Sequence, residues 1–234
     1  GPNWHATASI LAARAGKDVY CEKPCTKNIA QSLALAETFR RTGRVFQAGT
    51  PRRSRPNFRF SIGLARRGKL GRLKTLYAHP GGLGTAMSGW AAEETAPPVD
   101  QVDWDLYLGP AAWRPFNKRL LAGFNFEKGG GMVGGGCLEW GSHCVDLCQW
   151  ANDADETAPV EYEPKGDQLH AKYGNGVKLI LRNDGWLPLG SCPVRFEGET
   201  GWVETGDDGE IVASSPALLS GMGAKISGYP ADFH

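Results

Sequence analysis

Between residues 3 and 50 helix-type and strand-type runs alternate, and this alternation restricts the possible folds more than any other feature. "NWHATASILAARA" (3–15) packs small and apolar residues on one side of a helix that Gly16 closes. "KDVYCEKP" is a short β-type run stopped by Pro24. A second helix follows, with Thr26 or Asn28 as its cap and Gly43 at its end. Ile29, Leu33, Leu35, Ala36 and Phe39 supply its apolar stripe. "RVFQAGT" (44–50) is again a strand. Helix and strand joined by short links make the rhythm of a parallel α/β sheet. Only about two such units are present, fewer than a doubly wound sheet needs. Gly1 rather than methionine begins the chain, which is therefore expected to be the interior of a longer protein.

After Thr50 the texture changes. A helix is expected over 56–67 and a strand over 73–79, followed by an irregular stretch from Pro80 to Pro98. Beyond a helix at 137–151, "PVEYEP", "QLHAKY", "VKLILRN", "VRFEG", "GWVETG" and "EIVAS" are separated by turns such as "NG" and "DDGE". Strands spaced this closely suit an antiparallel sheet. The fold expected is α/β followed by α+β, the second part a mostly antiparallel open sheet packed against helices.

Composition excludes several classes of protein. Apolar residues at 41% and a net charge of +1 mark a globular chain with no basic or acidic surface, so neither nucleic acid nor membrane is expected as a partner. No apolar run approaches the roughly 20 residues of a membrane span. The arginine pairs at 40–41, 52–53 and 66–67 read as solvated helix ends or local anion contacts. Six cysteines form no C-x-x-C pair, so no metal site is expected. Cys144 and Cys148, sharing a helix face with Leu147 and Val145, read as buried free thiols and imply a reducing compartment.

Gly129, Gly131 and Gly134 in "EKGGGMVGGGCLEWGSHCVD" fit G-x-G-x-x-G, and Asp153 and Asp155 lie near the offset of a ribose-binding acid. But "GFNFEK" before the run is a poor buried strand, and Glu139 would lie near a phosphate and repel it. A glycine turn that lets the next helix start against another surface is the favoured reading. On that helix His143 lies about 40° from Glu139, and Asp146 about 20° to the other side, within an arc of about 60°. Two readings stand: a solvated polar face, or a histidine oriented by carboxylates toward a cleft as a general base. Lys23, between a strand and Pro24, is either a surface lysine in a turn or a ligand-binding lysine at the C-terminal edge of a sheet.

"GKDVYCEKPCT", "WDLYLGPAAWRPFN" and "GGGMVGGGCLEWGSHCVDLCQW", in this order, resemble three segments of the Gfo/Idh/MocA oxidoreductases. The second of the family's signatures is a glycine run followed by D-x-G-x-H-x-x-D. The resemblance implies that Lys23 is the lysine of the E-K-P segment and His143 the motif histidine. Asp146 matches the motif's last acid, and Glu139, the third catalytic candidate with Lys23 and His143, stands where the family usually has aspartate, one methylene longer. Glu22 and Pro24 match the cofactor-side neighbours of Lys23, and the Lys23–Pro24 bond is expected to be cis. Trp113 and Arg114 match a pair that approaches the nicotinamide, and Asn3 and His5 match a loop lining the cofactor cleft. Arg52 and Arg53 are candidate substrate contacts.

The resemblance implies an NAD- or NADP-dependent oxidoreductase that transfers hydride between a sugar or polyol hydroxyl and nicotinamide. Residues 1–49 would be the C-terminal part of a Rossmann domain and 50–234 the substrate and oligomerisation domain. The first strand, its phosphate-binding glycine turn and a C-terminal helix are expected to lie outside this sequence, so the chain alone is expected to bind NADH weakly or not at all. A homodimer or homotetramer through the open sheet face and a cytoplasmic location are expected. Two other readings remain: an NAD-dependent glycosidase working by transient oxidation and elimination, and an inactive fragment or interaction module.

Overall fold

The computed structural model describes residues 1–83, 92–121 and 136–221. The chain forms two compact units, Gly1–Thr50 with Gly84–Glu139, and Pro51–Leu83 with Trp140–His234. None of the described helices is long and apolar enough to cross a membrane.

The first unit opens with α1 (His5–Arg14), β1 (Val19–Glu22), α2 (Ile29–Thr42) and β2 (Phe46–Gly49). The two strands run parallel, with Val19 opposite Phe46 and Glu22 opposite Gly49. Asn28 caps α2 by accepting from the Gln31 N–H at 2.9 Å, and Gly43 ends it at φ 62°, where a side chain would be strained. Ala13, Leu35 and Phe39 form a small core against Ile10, Val19 and Phe46. The Phe39 and Phe46 rings meet edge to face at 5.0 Å.

One expectation fails here. Ile29 and Leu33 are 79% and 66% exposed, whereas Leu35 and Phe39 of the same expected stripe are buried. Ile29 and Leu35 lie roughly 120° apart around the helix. The apolar residues therefore span one arc of about 160°, and α1 and the strands of this unit cover only its Leu35 and Phe39 side.

The same unit contains a short helix that the pattern did not reveal, α4 (Trp104–Leu108), capped by Asp103, which accepts from Leu106 N–H. Trp4 donates its indole N–H to Leu106 O at 2.7 Å. Gly109 ends the helix at φ 54°, and a Cβ there would land on the Trp4 indole.

The second unit is a seven-stranded sheet in the order β4-β5-β6-β3-β7-β8-β9. Its strands are β3 (Leu73–Ala78), β4 (Glu161–Lys165), β5 (Gln168–Lys172), β6 (Lys178–Leu181), β7 (Val194–Gly198), β8 (Trp202–Thr205) and β9 (Ile211–Ala213). Only β3 and β6 pair in parallel among neighbours that are otherwise antiparallel. Leu76, Phe196 and Val203 stand in register on one face and are fully covered. Two helices add to the buried set, α3 (Pro56–Arg66) with Phe58 and Ile62 and α5 (Gly136–Ala151) with Cys144, Leu147 and Cys148. Buried Asn57 ties α3 to the end of β8 by donating to Thr205 Oγ1 and Gly206 O at 2.7 and 2.8 Å. Gln149 of α5 accepts from the Tyr173 hydroxyl and donates to Ala154 O and Thr157 O.

The opposite face is not plainly apolar. Arg182 lies between the rings of Tyr77 and Trp186, at 4.6 and 4.5 Å, and Arg195 lies 3.8 Å over Trp202. Arg195 also donates to Glu197 at 2.6 Å, and Glu204 beside it is fully covered.

Candidate functional site

The residues that carry the resemblance are distributed over both units. In the first, β1 delivers Glu22 and Lys23 at the end where parallel strands of an open sheet present ligand-binding loops. The Lys23–Pro24 bond is cis, as the sequence led one to expect. His5 Nδ1 lies 2.8 Å from Pro24 O and fixes the loop before α1 to the turn after β1. Gly49 faces Glu22 so closely that a Cβ would come within 3.0 Å of its backbone. Asn3 is buried, and its Oδ1 accepts from Lys27 Nζ at 2.7 Å.

Arg114 shares a cleft of about 250 Å³ with Asn3, Lys27, Asn28 and Gln31. Its carbonyl accepts from the Trp104 indole at 2.8 Å, and Trp104 itself stacks on Tyr107 and meets Phe116 edge-on. Trp113, by contrast, is 72% exposed. Asn3 and Arg114 thus line one cleft, and His5 and Pro24 are joined directly. A buried amide, a cation and a strand-end turn are the groups an anionic dinucleotide needs along one edge, so the residues present fit part of such a cofactor. Lys27 carried no signal in the sequence beyond its place next to a helix cap.

In the second unit α5 presents His143 and Asp146. The expected polar face is only partly that. His143 is 5% exposed and lies on the covered side with Leu147, about 40° away on the helix. Trp140 meets the His143 ring edge to face at 6.3 Å, and the Arg52 guanidinium lies 5.6 Å over the Trp140 ring. Glu139 lies in α5, but its side chain falls outside the described residues, as does the glycine run at 129–134.

Arg52 and Arg53 are not solvated. Arg52 holds Asp207 with Nε and Nη2 at 3.0 and 2.6 Å, Arg55 adds a contact at 2.5 Å, and Ser191 donates at 2.7 Å. Burial pushes the Asp207 carboxyl up, but these donors outweigh it and hold it below the usual carboxylate range. Arg53 spans Asp146 and Asp155, with its guanidinium 5.3 Å over Trp150. For Asp146 burial prevails over the pull of Arg53 and holds the carboxyl above its ordinary value, whereas Arg53 draws the more exposed Asp155 below. The arginine pair therefore meets anions, as expected, but the ones seen are the protein's own carboxylates.

All six cysteines are free. A hydrogen bond with Cys192 and burial push the Cys144 thiol up, and burial does the same to Cys148, so both are inert thiols of the core.

A family model described as the C-terminal alpha/beta domain of an oxidoreductase family, Gfo/Idh/MocA, matches residues 85–185. No curated protein matches the sequence. Among solved structures, the aldose-aldose oxidoreductase of Caulobacter crescentus, complexed with glycerol, is 19% identical with a TM-score of 0.56, covering 91% of this chain and 57% of its own. Myo-inositol 2-dehydrogenase from Lactobacillus plantarum is 16% identical at TM-score 0.53, with coverage of 90% and 56%. The WlbA dehydrogenase from Bordetella pertussis, in complex with NADH and UDP-GlcNAcA, is 17% identical at TM-score 0.53, with coverage of 87% and 52%. The chain spans about half the length of the solved structures it matches. Residues 85–185 thus match the C-terminal α/β domain of the Gfo/Idh/MocA oxidoreductases, and the chain shares the fold of these solved structures.

Proposed function

We propose that this chain supplies part of an NAD(P)-dependent oxidoreductase that moves hydride between a sugar or polyol hydroxyl and nicotinamide. The observation that carries the reading is Lys23 at the C-terminal end of parallel β1, in a turn that His5 holds through Pro24 O. Aldose and inositol as substrates, and NADH as cofactor, are named in the solved relatives and come to this chain by that likeness. Residues 1–49 would be cofactor-side and the open-sheet part substrate-side.

Nicotinamide, when bound, supplies the hydride acceptor or donor. Asn3, His5, Glu22, Pro24, Trp113 and Arg114 would line its cleft. Lys23 Nζ donates a hydrogen bond to the reacting oxygen and stabilises the alkoxide that develops there. His143 takes the hydroxyl proton at Nε2, because Nδ1 is fully covered. Asp146 acts through Arg53, and Arg52 through Trp140. A direct contact of either arginine with substrate would use the guanidinium protons their own carboxylates leave free. Assembly through the open sheet face would bury the Arg182 and Arg195 aromatic stacks, and the free thiols suit a cytoplasmic location.

The test is turnover of the whole protein with NAD⁺ or NADP⁺ and a panel of aldoses and polyols. Net nucleotide reduction is the expected result. Glycoside cleavage without net reduction would replace the dehydrogenase with a glycosidase, and the absence of both activities would overturn the reading.

A further inference from the structure

We infer that the cleft between the N-terminus of α2 and the 110–114 loop binds a phosphate-type oxyanion, with Lys27 and Arg114 as its cationic ligands. The inference rests on the nucleotide-side reading of the first unit and adds to it a residue, Lys27, that no sequence pattern singled out.

Asn3, Lys27, Asn28, Gln31 and Arg114 line the cleft together with small loop residues, and no carboxylate is among the residues lining it. A lysine and an arginine thus face one space with only amide side chains as polar company. Their placement is fixed by a chain of bonds. Asn28 Oδ1 accepts from Gln31 N–H at 2.9 Å, and Gln31 Oε1 accepts from Lys27 N–H at 2.8 Å. Lys27 Nζ then donates to Asn3 Oδ1 at 2.7 Å. Asn3 is 5% exposed, so its amide is a rigid anchor rather than a surface group. An ammonium has three protons, and the bond to Asn3 takes one of them.

Electrostatics in the cleft alone are unfavourable. Burial, and then the nearby positive charge of Arg114, lower the pKa of Lys27. An anion between the two cations would remove that repulsion. The positive end of α2, a helix of 14 residues, adds in the same direction. Several convergent donors suit an oxyanion with many acceptor oxygens, and a guanidinium suits one that can be gripped by two. A volume of about 250 Å³ admits a phosphate or diphosphate but not a complete dinucleotide. The phosphate could belong to the cofactor or to another phosphorylated ligand.

The experiment is calorimetric titration of the chain with inorganic pyrophosphate at low and at moderate salt, repeated on Lys27→Gln and Arg114→Gln. Thermal melts of both variants verify that they fold. Saturable binding is expected, weakened about tenfold by either substitution and weakened further by salt. A second titration, of the whole protein in saturating NADH, identifies the source. Competition assigns the oxyanion to the cofactor, and undisturbed pyrophosphate binding assigns it to another phosphorylated ligand. Absence of saturable binding at millimolar pyrophosphate would overturn the inference, as would equal affinities in the wild type and two folded variants. Pyrophosphate binding without nucleotide-dependent turnover of the whole protein would leave the site standing and remove the oxidoreductase reading.

Discussion

Arg53 grips Asp146 with two parallel N–H···O bonds, Nε to one carboxylate oxygen and Nη2 to the other, each 2.8 Å long. The pair joins the segment before α3 to the middle of α5, 93 positions apart in sequence. Both side chains are mostly covered, at 29% and 21% exposure, so the interaction is stronger than a surface ion pair and weaker than a fully buried one.

Arg53→Ala leaves Asp146 half-buried without its main donor. A loss of about 1–3 kcal/mol in unfolding free energy is expected, read by urea denaturation. Asp146→Asn in the same background should restore part of it, because the uncompensated charge is gone.

Acid should destabilise the second unit through Asp207. Its folded pKa is depressed, so it contributes stability above its unfolded value, near 4, and loses it as pH falls through the folded value. Asp146 has the opposite sign: its raised pKa subtracts stability above that pKa and subtracts nothing once protonated. Asp207→Asn should therefore flatten the fall of stability below pH ~4, as followed by denaturation at stepped pH.

In the proposed reaction Asp207 would also be a positioning residue. It holds Arg52, Arg52 lies over Trp140, and Trp140 meets the edge of His143. Asp207→Asn is expected to lower kcat by about tenfold with little change in KM and to shift the acid limb of the kcat–pH profile. A purely structural role would lower the melting temperature and leave that profile in place.

Gly109→Ala should destabilise the first unit by about 1–3 kcal/mol, because φ 54° disfavours a side chain and the new Cβ meets the Trp4 indole. Thermal unfolding followed by tryptophan fluorescence gives the measurement.

Local chemistry explains what the sequence made legible. Asn28 and Gly43 bound α2 by their own backbone preferences, and Pro24 ends β1 because it has no N–H to give a ladder. Turn residues between short runs located β4 through β9 for the same reason. What stayed hidden depends on distant partners. No local signal pairs β3 in parallel with β6, or places Asp207 against Arg52, 155 positions away. Helical spacing put His143 among acids, yet the neighbouring Leu147 shows which side of that arc is covered. Lys27 looked like an ordinary polar residue because its anchor, Asn3, lies 24 positions earlier.

In the proposed reaction Lys23 serves the reacting oxygen and not the cofactor's affinity. Steady-state turnover and NADH binding of Lys23→Ala, measured side by side in the whole protein, test it most directly. A fall in kcat of about 10²–10⁴-fold with NADH affinity retained is expected. Turnover equal to that of the wild type would contradict it.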